Sequence, residues 1–400
     1  MIDSITLAGA ALDLNNVEYS VSIQHGRSDV TTSPAASNCQ IVIRGPVGVA
    51  AEIADTIEIT AYTERRFTGE VSDIRIQHLS TEPPTAVTTI TGIGNLARVS
   101  YVQIGASGFS KQTVFQRVDD VLAATGLTYL NGADPDLVLA SIGGSDTQAT
   151  DALSYLAKVA EWTGATYFDD PLGRVVFESY GNRGITTFAG IWSTQFGTWA
   201  QQGGTWADIP VDRSTIDLPP GEVIWAPSWS RTRSTIINDV TVISHNANHT
   251  ANQTDSASIS SYGLKEYRLE TEIKTSGDVT ARAGKIITAQ ANPLWSIGEI
   301  SILVHLLEPG ERDPILKLVS GAAVVLRNLP QPAPVGQFVG IVEGWGESYT
   351  DEQHILTLSI SDPRYSFETI TWGEVPNTLD WSDLDPALQW FELVTAGDLT

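Results

Sequence analysis

Across residues 1–98 apolar side chains return at every second position. Val17 to Ile23 reads VEYSVSI, Ile41 to Ile43 reads IVI and Ile57 to Tyr62 reads IEITAY; FTGEVSDIRIQHL, a polar Pro-Pro loop and AVTTITGIG follow. The runs are rich in β-branched residues and are bounded by Gly, Pro, Asn and Asp. A period of two places all the apolar residues of a strand on one face, so each strand needs one buried and one wet side. Successive strands of this kind predict an antiparallel sandwich or barrel over 1–98.

The period then changes. Ser110 can cap a helix in which Val114, Phe115, Val118, Val121 and Leu122 share a face, with Gly126 placed to end it. A second helix is expected from about Thr147 to Thr163, carrying Leu153, Leu156, Ala160 and Trp162 inward and ending at Gly164. ATYFDDPLGRVVFES then gives two short strands around an Asp-Pro-Leu-Gly turn. Residues 99–185 therefore form a small α+β insert. After a Gly/Trp-rich connection over 186–225, strands return: 236–243, 267–273, 297–307, 322–327, 338–345 and 355–361. Between them lie a polar loop, HNANHTANQTDSAS, and a helix capped by Ser276, with Ala281, Ala283, Ile286 and Ile287 inward and Pro293 as its stop. The expected fold class is β-rich α+β: two β-domains of barrel or sandwich type, 1–98 and 226–365, flanking the insert, with a tail over 366–400.

Two segments do not fit a core of their own. Trp192, Trp199 and Trp206 recur every seven residues among Gly, Thr and Gln; Trp372, Trp381 and Trp390 recur every nine in an acidic stretch. Gly197, Gly203 and Gly204 interrupt the first segment, and Pro376 and Pro386 the second. Indoles spaced along such a backbone suit a chain laid on another surface, each ring filling a pocket. The alternative is that they dock back onto their own body. Both readings point to assembly and not to chemistry.

Charge narrows the partners. With 23 Lys+Arg against 47 Asp+Glu the net charge is −24, which repels nucleic acid and anionic membranes and argues against specific nucleic-acid binding. Cys39 is the only cysteine, so an internal disulfide and a cysteine-based zinc site are excluded. MIDSITLAGAALDLNN lacks a basic n-region, so no Sec signal is expected, and no apolar run reaches the length of a membrane span. His245 and His249 stand four apart without the intervening Glu and helical context of a zinc protease. Ser107 and Ser145 miss the G-x-S-x-G elbow. TGIGNLA at 91–97 reads as a turn and not a dinucleotide site, since no long helix follows. Of the paired acids, Asp169/Asp170 sits in a hairpin turn, where Asp serves local backbone hydrogen bonds; Asp134/Asp136 and Asp383/Asp385 flank prolines. Asp134 and Asp136 leave a calcium reading open, without EF-hand spacing. No catalytic residue, metal site or cofactor is expected.

Several stretches, in order, resemble the central hub or minor tail proteins of tailed phages, particularly those of high-GC Gram-positive hosts. VSIQHGRSDVTTSPAASNCQIVI is similar to the strand, Gly-Arg turn and strand that open such hubs, FTGEVSDIRI to their second hairpin and TTITGIGNLARV to the strand leaving it. LAKVAEWTGATYFDDPLGRVVFES resembles the helix-plus-hairpin insert, and VEGWGESYTDEQHILTLSISDPRY the closing hairpin. The resemblance implies two tail-tube-like domains per chain, and a homotrimer that presents six such units to a tail tube or distal tail protein ring. It implies a structural virion protein at the tail tip, made in the host bacterial cytoplasm, contacting the tape measure protein and further minor tail proteins. With the chain ending at Thr400, no peptidase or lysozyme domain is expected. Two rival readings are a tail-tip enzyme acting on host surface glycans and a carbohydrate-binding β-protein with Trp platforms.

Overall fold

The computed structural model describes residues 2–14, 17–30, 32–45, 51–81, 84–143, 150–180, 214–217, 228–327, 338–362 and 365. Trp192, Trp199, Trp206, Trp372, Trp381 and Trp390, and the tail 366–400, lie outside the described residues. The fold is β-rich, organised around a large, curled, mostly antiparallel sheet.

The period-two stretches become β1 (Ile2–Leu7), β2 (Glu18–Gly26), β3 (Asn38–Gly45), β4 (Thr56–Ala61), β5 (Glu64–Thr81) and β6 (Pro84–Gly94). They pair antiparallel in the order β2-β3-β6-β5-β4-β1. Their alternate residues, among them Ile5, Val21, Ile23, Ile41, Ile57, Ile59, Phe67 and Ile90, meet in one core. The register of β4 on β5 shifts between Ile59 and Thr60, a bulge beside Arg66.

The insert opens with α1 (Asn95–Val99), where TGIGNLA passes from strand to a single helical turn. Next come α2 (Val114–Ala123), β7 (Tyr129–Gly132), α3 (Ala152–Thr163), β8 (Thr166–Asp169) and β9 (Val175–Glu178). The cap of α2 is Thr113, not Ser110: its hydroxyl accepts from Gln116 N at 3.2 Å, and the Gln116 side chain accepts from Thr113 N at 3.1 Å. Asp151 caps α3, its carboxylate accepting from Ser154 N at 2.8 Å, so this helix starts later than Thr147. Gly164 ends α3 in the left-handed region, at φ 80°. β8 and β9 form the expected hairpin, and β7 joins β9 in parallel.

In the second half lie β10 (Ser214–Asp217), β11 (Asp239–Ser244), β12 (His249–Thr254), α4 (Ser256–Tyr262), β13 (Glu266–Thr271) and α5 (Ser276–Gln290). β14 (Ile300–Leu303), α6 (Pro309–Leu316), β15 (Ala323–Arg327), β16 (Phe338–Tyr349) and β17 (His354–Ser361) complete it. The segment HNANHTANQTDSAS is not a loop. Its middle is β12, paired along β11, where Asn252 Nδ2 donates to Asp239 Oδ1 and Thr241 Oγ1 at 3.0 Å each. Its end is α4, capped by Asp255. Polar cross-strand ladders hold a strand that hydrophobic periodicity cannot reveal. Thr275, one residue before the expected Ser276, caps α5.

Three cores result. The insert's Leu139, Leu156 and Phe177 share one with Val240, Val242, Leu269, Val279 and Ile286 of β11, β13 and α5. Ile300, Ile302, Leu316, Val324, Trp345, Leu356 and Leu358 form another. β16 ties this second core to the N-terminal sheet. One of its edges pairs with β15 and then β2, and the other with β17, so β10-β15-β16-β2-β3-β6-β5-β4-β1 is one continuous sheet.

Candidate functional site

The seam where β16 meets β2 is lined with charge. Along β16, Glu343, Trp345, Glu347 and Tyr349 point inward and are 0–3% exposed. A period of two sends the intervening Gly344, Gly346 and Ser348 to the opposite face.

Each inward side chain meets a partner from elsewhere in the chain. Glu347 takes both oxygens to Arg66 Nε at 3.1 Å and receives Arg66 Nη2 at 2.6 Å. Arg66 Nη1 also donates to the Leu316 carbonyl. Trp345 Nε1 donates to Glu347 Oε1 at 2.8 Å, His354 Nε2 lies 3.2 Å from Oε2, and the Tyr349 hydroxyl donates to the same oxygen. Glu343 is held by Arg27, with Nε and Nη2 both 2.7 Å from Oε2, and accepts from the Ser361 hydroxyl. Burial alone would raise the Glu347 carboxyl; the Arg66 guanidinium and the bond from His354 outweigh it and hold the group well below the ordinary carboxylate range. Burial, then the Glu347 charge, pushes the Tyr349 hydroxyl well up. Burial lowers the His354 imidazole, against the pull of Glu347. That ring lies between Tyr349 at 4.0 Å and Tyr62 at 5.7 Å, centroid to centroid.

A second chain of contacts leaves the seam toward the insert. His25 stacks on Trp345 with centroids 4.6 Å apart, and its Nε2 lies 2.8 Å from the Arg66 carbonyl oxygen. Its Nδ1 lies 2.7 Å from Ser37 Oγ, which is 2.6 Å from Asp169 Oδ1. Ser37 N donates to the same carboxylate oxygen at 2.9 Å, and Leu96 N to the other at 3.3 Å. Burial, with the Arg66 charge, lowers the His25 imidazole against the opposite pull of Asp169, the Arg66 carbonyl and Glu347. A Cβ at Gly94 would overlap the Asp169 carboxylate, so only glycine lets the chain pass here.

This corrects the reading of Asp169/Asp170 as a pair of turn acids. Asp170 does serve its turn, accepting from Arg174 N at 2.9 Å and from Arg174 Nε at 2.7 Å. Asp169, 1% exposed, reaches out of the hairpin to the N-terminal sheet. Asp134 stays a loop acid, accepting from Asp136 N at 2.8 Å and Leu137 N at 3.0 Å. His245 and His249 are joined to no metal cluster, and among the described residues no group of three His, Cys, Asp or Glu side chains could hold a metal ion.

Ser37, His25 and Asp169 are the residue types of a hydrolase triad in the wrong order. A triad needs the acid on the base, the base on the serine, and a serine open to substrate. Here the serine sits between base and acid and is 2% exposed. The set links structural elements and does not present a nucleophile. A cleft of about 420 Å³ opens over the seam, with Ser22, Gln24, Asn38, Ser348 and Thr357 in its lining. Its two acids are Glu299 and Glu347, and Glu347 is already paired with Arg66. Trp345 is 3% exposed and stacked on His25, so it offers no platform for a sugar. Sequence reasoning passed over Arg66, Glu343, Glu347, His25 and His354. A signal was present in VEGWGESY, where period two puts both acids on the face of Trp345 and Tyr349.

Among the described residues no helix is long and apolar enough to cross a membrane. No protein-family model and no curated protein sequence matches the chain. Solved structures do resemble it. A 43 kDa tail protein of prophage MuSo2 from Shewanella oneidensis aligns with TM-score 0.61 at 13% identity, covering 92% of this chain and 99% of that one. The tail protein from Neisseria meningitidis MC58 gives TM-score 0.58 at 13% identity, over 91% and 98% of the two chains. A component of the E. coli type VI secretion system, described as similar to T4 tail proteins gp27 and gp5, gives 0.50 at 11% identity over 92% and 79%. The chain therefore has the fold of phage tail proteins. At these identities the shared property is the fold.

Proposed function

We propose that this chain is a structural protein of a phage tail, the central hub of the tail tip, and not an enzyme. The observation that carries the reading is the near-complete overlap, 92% of this chain on 99% of a prophage tail protein. At the seam Ser37, 2% exposed, lies between His25 and Asp169 and joins separate elements of the chain, which is a structural arrangement. In this reading residues 1–98 and 226–365 supply two tube-like units, and three chains present six of them to the tail tube or a distal tail protein ring. The ring joins that tube to further minor tail proteins and lines a channel for the tape measure protein and DNA, to which a chain of charge −24 does not stick. It works in the virion and is made in the host cytoplasm. Trp192, Trp199, Trp206, Trp372, Trp381 and Trp390 dock on neighbouring subunits or other tail proteins.

The experiment is native mass spectrometry of the assembled protein together with a symmetric reconstruction of tail tips. Three copies, each placing two β-units in the ring, is the expected result. Six copies with one β-unit each would overturn it. Deleting 366–400 should leave a body with near-native melting that no longer enters tails; a body that unfolds instead places the three C-terminal tryptophans in its own core.

A further inference from the structure

The contacts from Asp169 to Arg66 contain more hydrogen bonds than ordinary protonation can fill. Three contacts follow one another: Asp169 Oδ1 to Ser37 Oγ at 2.6 Å, Ser37 Oγ to His25 Nδ1 at 2.7 Å, and His25 Nε2 to the Arg66 carbonyl at 2.8 Å. Each needs one proton. The Ser37 hydroxyl supplies one and a neutral imidazole one more, while a carboxylate and a carbonyl accept only. With two protons for three contacts, one pair of acceptors would face each other without a hydrogen at short range. His25, Ser37 and Asp169 are 4%, 2% and 1% exposed.

We propose that His25 is a buried imidazolium, held by Asp169 through the Ser37 hydroxyl, and that this relayed ion pair fastens the α+β insert to the seam of the sheet. The third proton belongs on the ring and not on the acid. Asp169 already receives Ser37 N–H, Ser37 O–H and Leu96 N–H, three donors that suit an anion. Both ring nitrogens of His25 face acceptors, and its face rests on the Trp345 indole, which favours a cation.

Other charges surround the ring. From β5 come Arg66 and, tilted at 6.2 Å, the apolar Phe67; from β16 comes Glu347, already paired with Arg66. From β8 comes Asp169, and on the ring's own strand end Arg27 is paired with Glu343. The Arg66–Glu347 and Arg27–Glu343 pairs each sum to zero, which leaves the Asp169 carboxylate as the anion to be balanced. Burial and the Arg66 charge work against a cation on His25; two short charge-assisted bonds, an indole face and that carboxylate work for it, and the count of protons decides. The chain of contacts joins β2 and the approach to β3, 12 residues apart, to the β8–β9 hairpin, 132 residues beyond Ser37. Loss of the proton would leave the chain one hydrogen bond short and the hairpin carboxylate without its counter-charge.

The test is nitrogen-15 NMR of the histidine rings in the full chain, with His25 assigned by its proximity to the Trp345 indole. At about pH 8, above the ordinary imidazole value of about 6.5, His25 should show two protonated ring nitrogens. A neutral ring with one protonated nitrogen at that pH overturns the proposal, with no variant required. Asp169→Asn should lower the His25 titration midpoint by about one pH unit or more, a tenfold loss of proton affinity, and leave the exposed His245 unmoved. Ser37→Ala, which keeps both charges but removes the relay, should shift it in the same direction. A His25 midpoint that ignores both substitutions refutes the coupling.

Discussion

Glu347→Gln keeps the shape of a side chain and removes its charge, so it isolates what the buried ion pair does. The native carboxylate receives Arg66 through contacts of 3.1, 3.1 and 2.6 Å and three further donors from Trp345, Tyr349 and His354. Glutamine offers one carbonyl oxygen and turns an amide N–H₂ toward the guanidinium. Arg66 is 2% exposed, so water does not take over the lost contacts. Removing one partner of a buried pair costs about 3–5 kcal/mol, chiefly because the remaining charge stays buried. The orphaned donors fall within the same penalty, so a loss of about 4 kcal/mol is expected for the single change. Arg66→Met in the native background should cost a similar amount by stranding Glu347. In the Glu347→Gln background the same change should cost about 1 kcal/mol or less, because no charge is left to strand. Urea unfolding followed by tryptophan fluorescence measures this as a shift of midpoint at constant slope. A Glu347→Gln loss below about 1 kcal/mol, or costs that add fully in the double variant, would refute the assignment.

Three further outcomes follow from the same geometry. Gly94→Ala should destabilise by about 2 kcal/mol or more, because the new methyl overlaps the Asp169 carboxylate. Gly284→Ala, inside α5 with nothing within 4 Å, should stabilise by about 0.5–1 kcal/mol; thermal melting of the two variants in opposite directions is the check. Arg117, 0% exposed, donates to Gln112 Oε1 at 2.7 Å, to the Tyr155 hydroxyl at 2.7 Å and to the Ser110 and Ala140 carbonyls at 2.7 and 3.1 Å. Arg117→Met strands those acceptors and should cost about 3 kcal/mol in urea unfolding, and a neutral result would show that water refills the site. The acid side of the stability profile has a fixed sign. The Glu347 carboxyl titrates lower folded than unfolded, so its stabilisation is present above the unfolded value of about 4.3 and is lost as pH falls below it. His354, lowered by burial, adds a loss in the same direction below about pH 6.5, where the unfolded chain takes up the proton first. The unfolding midpoint should therefore decline from about pH 6.5 downward, more steeply below about 4.3; a Glu347→Gln profile that keeps the lower limb would contradict the assignment.

The strands of the N-terminal sheet were legible because period two writes the buried face directly into the sequence, as in VEYSVSI and IEITAY. The insert's helices and hairpin were legible from the change of period and from Gly164, with caps displaced by a few residues. β12 was not, because its alternation is polar and its ladder is held by Asn252, Asp239 and Thr241. The seam was missed for a different reason. Arg66 and Glu347 are 281 residues apart, and nothing local in YTERRFTGE separates Arg66, buried on Glu347, from Arg65, which pairs with Glu58 and is 29% exposed. Alternation tells which face a side chain takes, and sheet order decides what stands opposite. Asp169 shows the same limit: its hairpin was readable and its partners before β3 and in α1 were not.

Why a sheet should carry buried charge where apolar residues would suffice follows from what its central strand must do. β16 is paired with β15, β2 and β17, so its register decides how the N-terminal and C-terminal strands meet. Apolar faces alone tolerate a slip of two residues, since the same side remains inward. Here a two-residue slip would move Glu347 to the place of Trp345 or Tyr349, taking it from Arg66 while Glu343 leaves Arg27. Each stranded charge costs about 3–5 kcal/mol, so the slipped register loses on the order of 10 kcal/mol across the two pairs. A one-residue slip is worse, because Gly344, Gly346 and Ser348 would turn inward against Arg27, His25 and Arg66. Gly26 and Gly344 add a steric key: Gly26 sits at φ 71°, and a Cβ on it would meet the Glu343 carbonyl, while a Cβ on Gly344 would meet that of His25. The buried ions thus select one alignment more than they strengthen it.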